Sequence, residues 1–265
     1  MIIRIVFPAL FILALLVSCG PTKNNKDSLI DGSFSFKEFK YEEPEDLSKY
    51  LNAEISYFQV QGESDIANII NNDILNIYQG MAQGIPDNPN ELIDAYMQNE
   101  VAEIKSMIAK VGGSSLLPYE YDYHAEVVLN TDRLISYKQE FYEYTGGAHG
   151  TIGRNYKNFD VRTGKEIHLT TLFTKDEIKA LNNMGEHAFR KLKSIPQSQS
   201  YLDAGYNFEN GFVLPINFLI SKHDLQFYFA PYDIGPYSMG DANIVISYDE
   251  IRTKYPKSKL FHYVD

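Results

Sequence analysis

The clearest regularity along the chain is a two-residue alternation between positions 119 and 129. Aromatic and apolar side chains occupy one set of positions: Tyr119, Tyr121, Tyr123, Ala125, Val127 and Leu129. Polar side chains occupy the positions between them: Glu120, Asp122, His124 and Glu126. Because the side chains of a β-strand alternate between its two faces, this pattern predicts a strand with one buried and one solvated face. Residues 130–133 predict a turn, and residues 134–144 a returning partner strand.

Shorter runs of aromatic, β-branched and alternating residues predict further strands at 34–41, 55–60, 156–161, 212–220, 225–229 and 242–248. The Arg-Thr-Gly-Lys sequence at 162–165 is typical of a turn, because glycine adopts backbone angles that other residues avoid. The glycine-rich residues 145–153 predict a loop, and residues 195–210 predict a loop or a short helix. The strands therefore come mainly as hairpins.

Three segments carry apolar residues at the spacing of an α-helix. The first follows a capping serine at 64 and stops at a glycine at 80, and the second starts at 88–91 and stops at a glycine at 112. The third begins with a capping box between Thr174 and Glu177 and runs to about Lys193. The residues expected to face the core are Ile66, Ile70, Ile74 and Ile77; Leu92, Tyr96, Ile104, Ile108 and Val111; and Ile178, Leu181, Ala188 and Leu192. A closing helical turn is predicted at 249–254.

The order of these elements predicts an α+β fold in which helices pack on antiparallel sheets. The chain has 265 residues, of which 44% are hydrophobic and 22% charged, a composition typical of a globular protein of one or two domains. The 20 tyrosines and 16 phenylalanines, without a tryptophan, favour β-structure. We predict two sequential modules: an N-terminal α+β module at residues 33–165 and a C-terminal α+β module at residues 166–265.

The first residues predict a targeting segment rather than part of the fold. Arg4 provides a positive start, and the apolar run at 5–17 is short for a membrane-spanning helix but suits a secretory signal. The run ends in Leu-Val-Ser-Cys, which resembles the lipobox of bacterial lipoproteins. We predict a lipoprotein signal peptide at 1–18, and a lipidated Cys19 that begins a flexible tether at 19–32. An ordinary signal peptide with a free cysteine nearby and an uncleaved anchor are the alternatives.

Lipidation of Cys19 would attach the protein to a membrane. Each buried methylene group of an acyl chain such as palmitate contributes about 0.8 kcal/mol, so several chains give a firm anchor. The tether reaches at most about 45 Å when fully extended. We expect the periplasmic face of the outer membrane in a bacterium with two membranes, and the outer face of the cytoplasmic membrane in one with a single membrane. No acidic run follows Cys19, which argues against export to the cell surface.

The charge balance restricts the partners. The formal net charge is −11, and loss of residues 1–18 removes one arginine and no acidic residue, which leaves −12. A chain without a basic stripe cannot replace the counterions of nucleic acid, so nucleic acid is excluded as a partner. A neutral or cationic partner is favoured. The single cysteine excludes an internal disulfide and a zinc site built on cysteines.

The loop after the central hairpin is the most unusual stretch. It reads Tyr-Thr-Gly-Gly-Ala-His-Gly at 144–150, where Gly146 and Gly147 allow positive φ angles and close backbone approach. His149 on such a loop is interpreted as a hydrogen-bonding strut within a tight turn, as a ligand contact, or as a general base or metal ligand. The spacing does not fit a phosphate-binding loop or a dinucleotide fingerprint.

A second rigid loop lies at 230–240. Two prolines restrict its backbone, and Tyr232 and Tyr237 offer broad amphipathic surfaces. These tyrosines either pack the loop onto the sheet or form a binding rim. We therefore take Gly146, Gly147, His149, Tyr232 and Tyr237 as candidate ligand-binding residues.

Other chemical constellations are sparse. His124 lies among Glu120, Asp122 and Glu126 on one strand face, which is either a solvated outer face or a metal site. The sequence contains no Gly-x-Ser-x-Gly, His-Glu-x-x-His or His-x-His motif. We therefore assign no catalytic residue, no metal and no cofactor.

Three stretches resemble the paired extracytoplasmic domains of unknown function found in the lysozyme-sensing anti-sigma factor RsiV and in the peptidoglycan deacetylase PdaC. The first is Ala-Glu-Ile-Ser-Tyr at 53–57, ahead of Ile-Asn-Asn-Asp-Ile at 70–74. The second is 144–150, where the family usually has Gly-Gly-Ala-His-Pro and this chain has Gly150 in place of the proline. The third is the block from 225 to 237 followed by 244–251.

The resemblance implies an extracytoplasmic binding domain. The deacetylase chemistry of PdaC-like proteins lies in a separate metal-binding domain that this sequence does not resemble. RsiV-like proteins carry a sigma-binding segment before a transmembrane helix, which a signal peptide does not supply. We expect a non-catalytic cell-envelope lipoprotein that binds a protein or cell-wall ligand, lysozyme-like or peptidoglycan-related. A wall hydrolase that uses His149, and a purely structural periplasmic protein, are the alternatives.

Overall fold

The computed structural model describes residues 34, 36–42, 45–62, 64–79, 89–112 and 117–265. The predicted signal peptide, Cys19 and the tether lie outside these residues, as do the predicted cap of the second helix and the glycine after the first. Within the described ranges, no helix combines the length and the apolar character that crossing a membrane requires.

A five-stranded sheet dominates the first half of the chain. Its strands lie side by side in the order β1-β2-β3-β4-β5. Their bounds are β1 Phe36–Lys40, β2 Leu51–Val60, β3 Tyr119–Asn130, β4 Leu134–Tyr144 and β5 Thr151–Asp160. All neighbours are antiparallel except β2 and β3, which run parallel. The predicted hairpin of β3 and β4 is confirmed.

Two helices explain the parallel pair. Parallel neighbours need a crossover connection, and here α1 (Asp65–Gln79) and α2 (Pro89–Val111) connect β2 to β3. The Ser64 hydroxyl accepts a hydrogen bond from the backbone N–H of Ala67 at 3.1 Å, so the predicted cap is confirmed. Gly112 has a φ of +79°, which ends α2 as predicted.

The first hydrophobic core lies between these helices and one face of the sheet. Tyr121 and Tyr137 are almost fully buried there, and each phenol donates to a helix carboxylate, Glu100 and Asp73 respectively, at 2.5 Å. These bonds satisfy hydroxyl groups that would be costly to bury unpaired. The opposite face of the sheet, which carries the predicted polar positions, remains outside this core.

The second half of the chain forms an antiparallel three-stranded sheet in the order β6-β7-β8. Its elements are α3 Leu169–Leu172, α4 Lys175–Leu192, β6 Phe218–Ile220, β7 Asp224–Phe229, β8 Ala242–Ser247, α5 Tyr248–Lys254 and α6 Phe261–Val264. The predicted capping box of α4 is confirmed, because the Thr174 and Glu177 side chains each bond the backbone N–H of the other residue. The predicted α+β class is therefore confirmed. The parallel pairing of β2 with β3 differs from the predicted antiparallel sheets.

The second core is rich in aromatic side chains. Phe189 of α4 is fully buried. It contacts five other rings, with centroids 5.1 to 6.1 Å away: Tyr201, Tyr206, Phe208, Phe212 and Phe229. Leu129 and Leu134, from the far end of the β3–β4 hairpin, also belong to this core. The predicted division of the chain at residues 165 and 166 stays a prediction.

Several predicted element boundaries differ from the structure. β5 begins at Thr151 instead of 156, because Gly153 leaves room for the ring of Phe141 directly above it. The predicted strand at 212–220 is reduced to β6, since Pro215 has no N–H for a ladder and the N–H of Leu214 donates to the Asn182 side chain at 2.8 Å.

The side chains of Ile77 and Leu92, also predicted to face the core, lie outside the described part of the structure. Among the predicted core-facing side chains that the structure does describe, two are exposed instead. Val111 is 51% exposed and Leu192 is 53% exposed. Each is the last residue of its helix. The helical spacing of apolar residues in the sequence therefore extends to a position at which the helix no longer packs against the rest of the fold.

Two asparagines join the sheets at their edges. The Asn217 side chain accepts from the N–H of Tyr156 at 2.8 Å and donates to the carbonyl of Arg154 at 2.6 Å, both on the edge strand β5. In return, Asn158 of β5 donates to the carbonyl of Phe218 at 2.7 Å and accepts from the N–H of Ile220 at 2.8 Å, both on β6. We call this exchange the asparagine junction. It orients the second sheet relative to the first.

Candidate functional site

The asparagine junction places the two predicted loops against each other. The ring of His149 stacks on the ring of Tyr237, with centroids 3.7 Å apart and planes inclined by 10°. Its Nε2 atom lies 3.0 Å from the hydroxyl of Tyr232. The rings of the two tyrosines lie 5.8 Å apart. We call His149, Tyr232 and Tyr237 the aromatic rim.

The hydrogen bonds of His149 define its tautomer. Its Nδ1 atom lies 2.9 Å from the carbonyl oxygen of Gly150, and a carbonyl can only accept. The proton of the neutral ring is therefore assigned to Nδ1, and Nε2 accepts from the Tyr232 hydroxyl. Both ring nitrogens are thus used within the two loops.

The glycines of the first loop have the geometry that their positions require. Gly146 and Gly147 have φ angles of +105° and +96°, which side-chain-bearing residues rarely adopt. The hydroxyl of Tyr144 donates to the carbonyl of Gly147 at 3.2 Å and braces the turn. At Gly150, a Cβ atom would collide with the ring of Tyr142, so no larger residue fits here without movement of that ring.

Several contacts fix the second loop. The carboxylate of Asp233 accepts from the N–H of Ala230 at 2.8 Å. The ammonium group of Lys193 donates to the carbonyls of Met239 at 3.1 Å and Asp241 at 2.8 Å, and thereby holds the end of the loop. Tyr232 itself has a φ of +74°, a left-handed conformation that is strained for a residue with a bulky side chain.

The predicted site residues are mostly accessible. Tyr232 is 62% exposed, Gly146, Gly147 and His149 are exposed, and Tyr237 is half-buried. The strut interpretation of His149 therefore holds only for its bond to backbone, because the ring itself faces solvent. The structure brings together His149 and Tyr232, which are 83 positions apart in sequence, and the loop sequences could not indicate this contact.

The polar face of the sheet continues from the rim. Partial burial, followed by the carboxylate of Glu120 and the nearby Tyr237, raises the pKa of the Tyr142 phenol. Further along, Lys138 contacts Glu140 at 2.7 Å, and Arg154 contacts the same carboxylate at 2.7 Å. Although burial acts to raise it, these two cations hold the pKa of Glu140 below its usual value. Cations and anions thus alternate across this face.

Of the carboxylates in the predicted carboxylate–histidine cluster, Asp122 forms a close pair with His124. His124 Nε2 lies 2.7 Å from Asp122 Oδ1, and the other ring nitrogen lies 2.5 Å from the hydroxyl of Ser56 on β2. Sequence reasoning missed Ser56, because the parallel pairing of β2 with β3 has no local signal. In the part of the chain that the structure describes, no group of three or more His, Cys, Asp or Glu side chains is arranged to hold a metal ion.

Comparison with known families assigns the two halves separately. Residues 45–151 match the family model described as deacetylase PdaC. Residues 170–249 match the model described as a protein of unknown function, DUF3298. The first match lies within the predicted N-terminal module and the second within the predicted C-terminal module. The chain therefore combines a PdaC-like domain with a DUF3298-like domain.

Solved structures support the same fold. A DUF3298 family member from Bacteroides fragilis NCTC 9343 has 22% identity and a TM-score of 0.64, over 83% of this chain and 93% of that one. A DUF3298 family protein from Pseudomonas aeruginosa PAO1 has 16% identity and a TM-score of 0.57, over 87% and 97% of the two chains. No curated protein matches the sequence.

The strain at Tyr232 generates a prediction. We expect Tyr232→Gly to leave the free energy of unfolding unchanged or to raise it by about 1 kcal/mol, since glycine adopts a positive φ without steric cost. Tyr232→Phe keeps the strain and removes only the hydroxyl, so it should give no such gain. Denaturant unfolding of both variants checks this. A loss of more than about 1 kcal/mol in Tyr232→Gly would mean that the side-chain contacts outweigh the strain.

Proposed function

We propose that this protein is a cell-envelope lipoprotein that binds a protein or cell-wall ligand through the aromatic rim, and that the rim recognises its ligand without catalysis. The observation that carries the proposal is the joining of two rigid, sequence-distant loops by the His149–Tyr237 stack and the His149–Tyr232 hydrogen bond. The PdaC-like and DUF3298-like domains together form the scaffold for these loops.

The rim has the physical properties of a recognition surface. Aromatic side chains supply contact area at a low cost in conformational entropy, and their mutual stacking lowers that cost further. The left-handed Tyr232 supports the same interpretation, because backbone strain persists where the surroundings hold it and often where a ligand is contacted. Accessible aromatic edges and the carbonyls of the glycine turn offer apolar and polar contacts side by side.

The charge of the chain supports a cationic or neutral partner. A net charge of −11 attracts a basic protein such as a lysozyme and repels an acidic one. A peptidoglycan-related ligand would instead use the aromatic rings and the alternating charges of the sheet face. These two ligand classes are separable by the dependence of binding on salt.

Phe34, the first residue that the structure describes, lies at the end of the five-stranded sheet opposite the rim. The carbonyl of Phe34 accepts from the Asn130 side chain at 2.9 Å, at the end of β3. The opposite end of β3, at Glu120, pairs with Tyr144 beside the first loop. These ends are about 33 Å apart at the rise of a β-strand. The point at which the predicted tether would join the fold is therefore far from the rim, so attachment there would not cover the rim.

A wall hydrolase that uses His149 is the second candidate. The observation that favours it is the hydroxyl of Tyr232 within hydrogen-bond reach of Nε2. A nucleophile and its base need such a contact, and a third group must orient the base. Here the orienting group is the carbonyl of Gly150 rather than a carboxylate, so the imidazolium formed on proton transfer would lack a neutralising charge. Binding therefore remains the better-supported function.

The lipid anchor is tested by Cys19→Ser. The variant cannot be acylated at this position, so we expect it to move from the membrane fraction to the soluble fraction. The wild-type N-terminus should carry the mass of acyl chains on Cys19. Unchanged fractionation of the variant, together with a wild-type N-terminus without added mass, would contradict lipidation.

The binding surface is tested by Tyr237→Ala, with Lys257→Ala as an exposed control. Detergent-solubilised full-length protein is mixed with lysozyme or with purified peptidoglycan. We expect Tyr237→Ala to weaken capture by about tenfold or more, because it removes the stacking partner of His149, and Lys257→Ala to have no effect. Lysozyme association should slow steeply with added salt.

Two outcomes of this experiment oppose the proposal in different ways. Equal binding by wild type and Tyr237→Ala would place the contact outside the rim. Turnover of a wall fragment by the wild type, lost in His149→Ala, would instead establish the hydrolase.

A further inference from the structure

A second constellation lies on the polar face of the five-stranded sheet, apart from the aromatic rim. The Ser56 hydroxyl lies 2.5 Å from Nδ1 of His124, and Nε2 of the same ring lies 2.7 Å from the carboxylate of Asp122. A hydroxyl, an imidazole and a carboxylate in this order are the groups that activate a serine for nucleophilic attack. The rim uses none of these residues.

The register of the sheet produces this arrangement. Ser56 of β2 is paired directly with His124 of β3, so both side chains project from the same face. Asp122 precedes His124 by two residues and therefore shares that face. The backbones of the strands fix all three residues, which reduces the conformational freedom that a reactive arrangement has to lose.

The hydrogen bonds assign the protons of the group. The carboxylate of Asp122 can only accept, so the proton of the neutral ring is placed on Nε2 of His124. The lone pair of Nδ1 then faces the hydroxyl of Ser56 and can take its proton. The two ring nitrogens thus have the opposite roles from those in the serine proteases, with the same chemical outcome.

We propose that Ser56 is an activated nucleophile that accepts an acyl group from carboxylic esters. The Ser56 oxygen forms a bond to the ester carbonyl carbon while His124 Nδ1 takes the hydroxyl proton. The bond to the alcohol oxygen breaks, and His124 returns that proton to the leaving alcohol. Water then attacks the carbonyl carbon of the acyl-serine and gives a proton to His124. The bond between that carbon and the Ser56 oxygen breaks, His124 returns the proton to this oxygen, and the carboxylic acid is released.

The surroundings define which acyl donors fit. The side chains of His124 and Asp122 are 41% and 55% exposed, so a small ester reaches the group without an opening step. At Ser56 itself, β2 is paired with Lys40 of β1 on one side and with His124 of β3 on the other, so the backbone at the nucleophile is engaged in ladders rather than free to stabilise an oxyanion. We therefore expect reaction with activated esters and phosphonates, and not with amides.

The test uses a fluorophosphonate probe, which attaches covalently to activated serines, on the detergent-solubilised full-length protein. Peptide mass spectrometry should locate the adduct on Ser56. Labelling should disappear in Ser56→Ala and slow by about 100-fold or more in His124→Ala. Asp122 acts as a positioning residue: Asp122→Asn should slow labelling by about tenfold or more, and Asp122→Glu, which keeps the carboxylate, should restore much of it.

Matched controls keep the outcome interpretable. Ser198→Ala removes an exposed serine elsewhere and should label as wild type does, and thermal melting confirms that each variant is folded. An adduct distributed over several serines, no adduct on Ser56, or labelling of Ser56 that is unchanged in a folded His124→Ala variant would overturn the proposal. Because the rim is intact in these variants, the result is independent of the proposed binding function.

Discussion

The asparagine junction is the interaction on which the rest of the structure depends. An asparagine amide can donate and accept at once, so one side chain can occupy the place of a missing neighbouring strand. Asn217 does this for the edge of β5, and Asn158 does it for β6. Removal of either amide would leave two main-chain groups unpaired, at a cost of about 1–3 kcal/mol each. The exchange therefore closes two strand edges and fixes the angle between the sheets.

The candidate site is a consequence of that angle. The first loop belongs to the five-stranded sheet, and the second loop connects β7 to β8 in the other sheet. The rings of Tyr156 and Tyr228 pack against each other at the junction, with centroids 6.1 Å apart. Tyr228 lies near the end of β7, just before the second loop, so this contact holds that loop near the first one. Lys193 then holds the end of that loop, and the stack on His149 completes the contact. Apolar packing and a few directed hydrogen bonds thus act together.

The sequence allowed the local elements to be predicted better than their arrangement. The alternation at 119–129, the Ser64 cap and the capping box of α4 have local causes and were confirmed. The parallel pairing of β2 with β3 was missed, and Ser56 with it, because pairing across a helical crossover depends on the whole core. His149 and Tyr232 were identified separately as loop residues, but their contact depends on the junction. Asparagine is uncommon within strands, but β5 also contains Asn155 and β8 contains Asn243, so Asn158 alone did not identify the junction.

The most direct test of this account is the NMR spectrum of the His149 ring. In the wild type, the stack at 3.7 Å on Tyr237 should shift the ring protons upfield of those in a free imidazole. In Asn217→Ala we expect these resonances to return toward the free values while the circular dichroism of the fold is kept. Asn183→Ala, an exposed change in α4, should leave them unchanged. An upfield shift that persists in Asn217→Ala would contradict the claim that the junction assembles the rim.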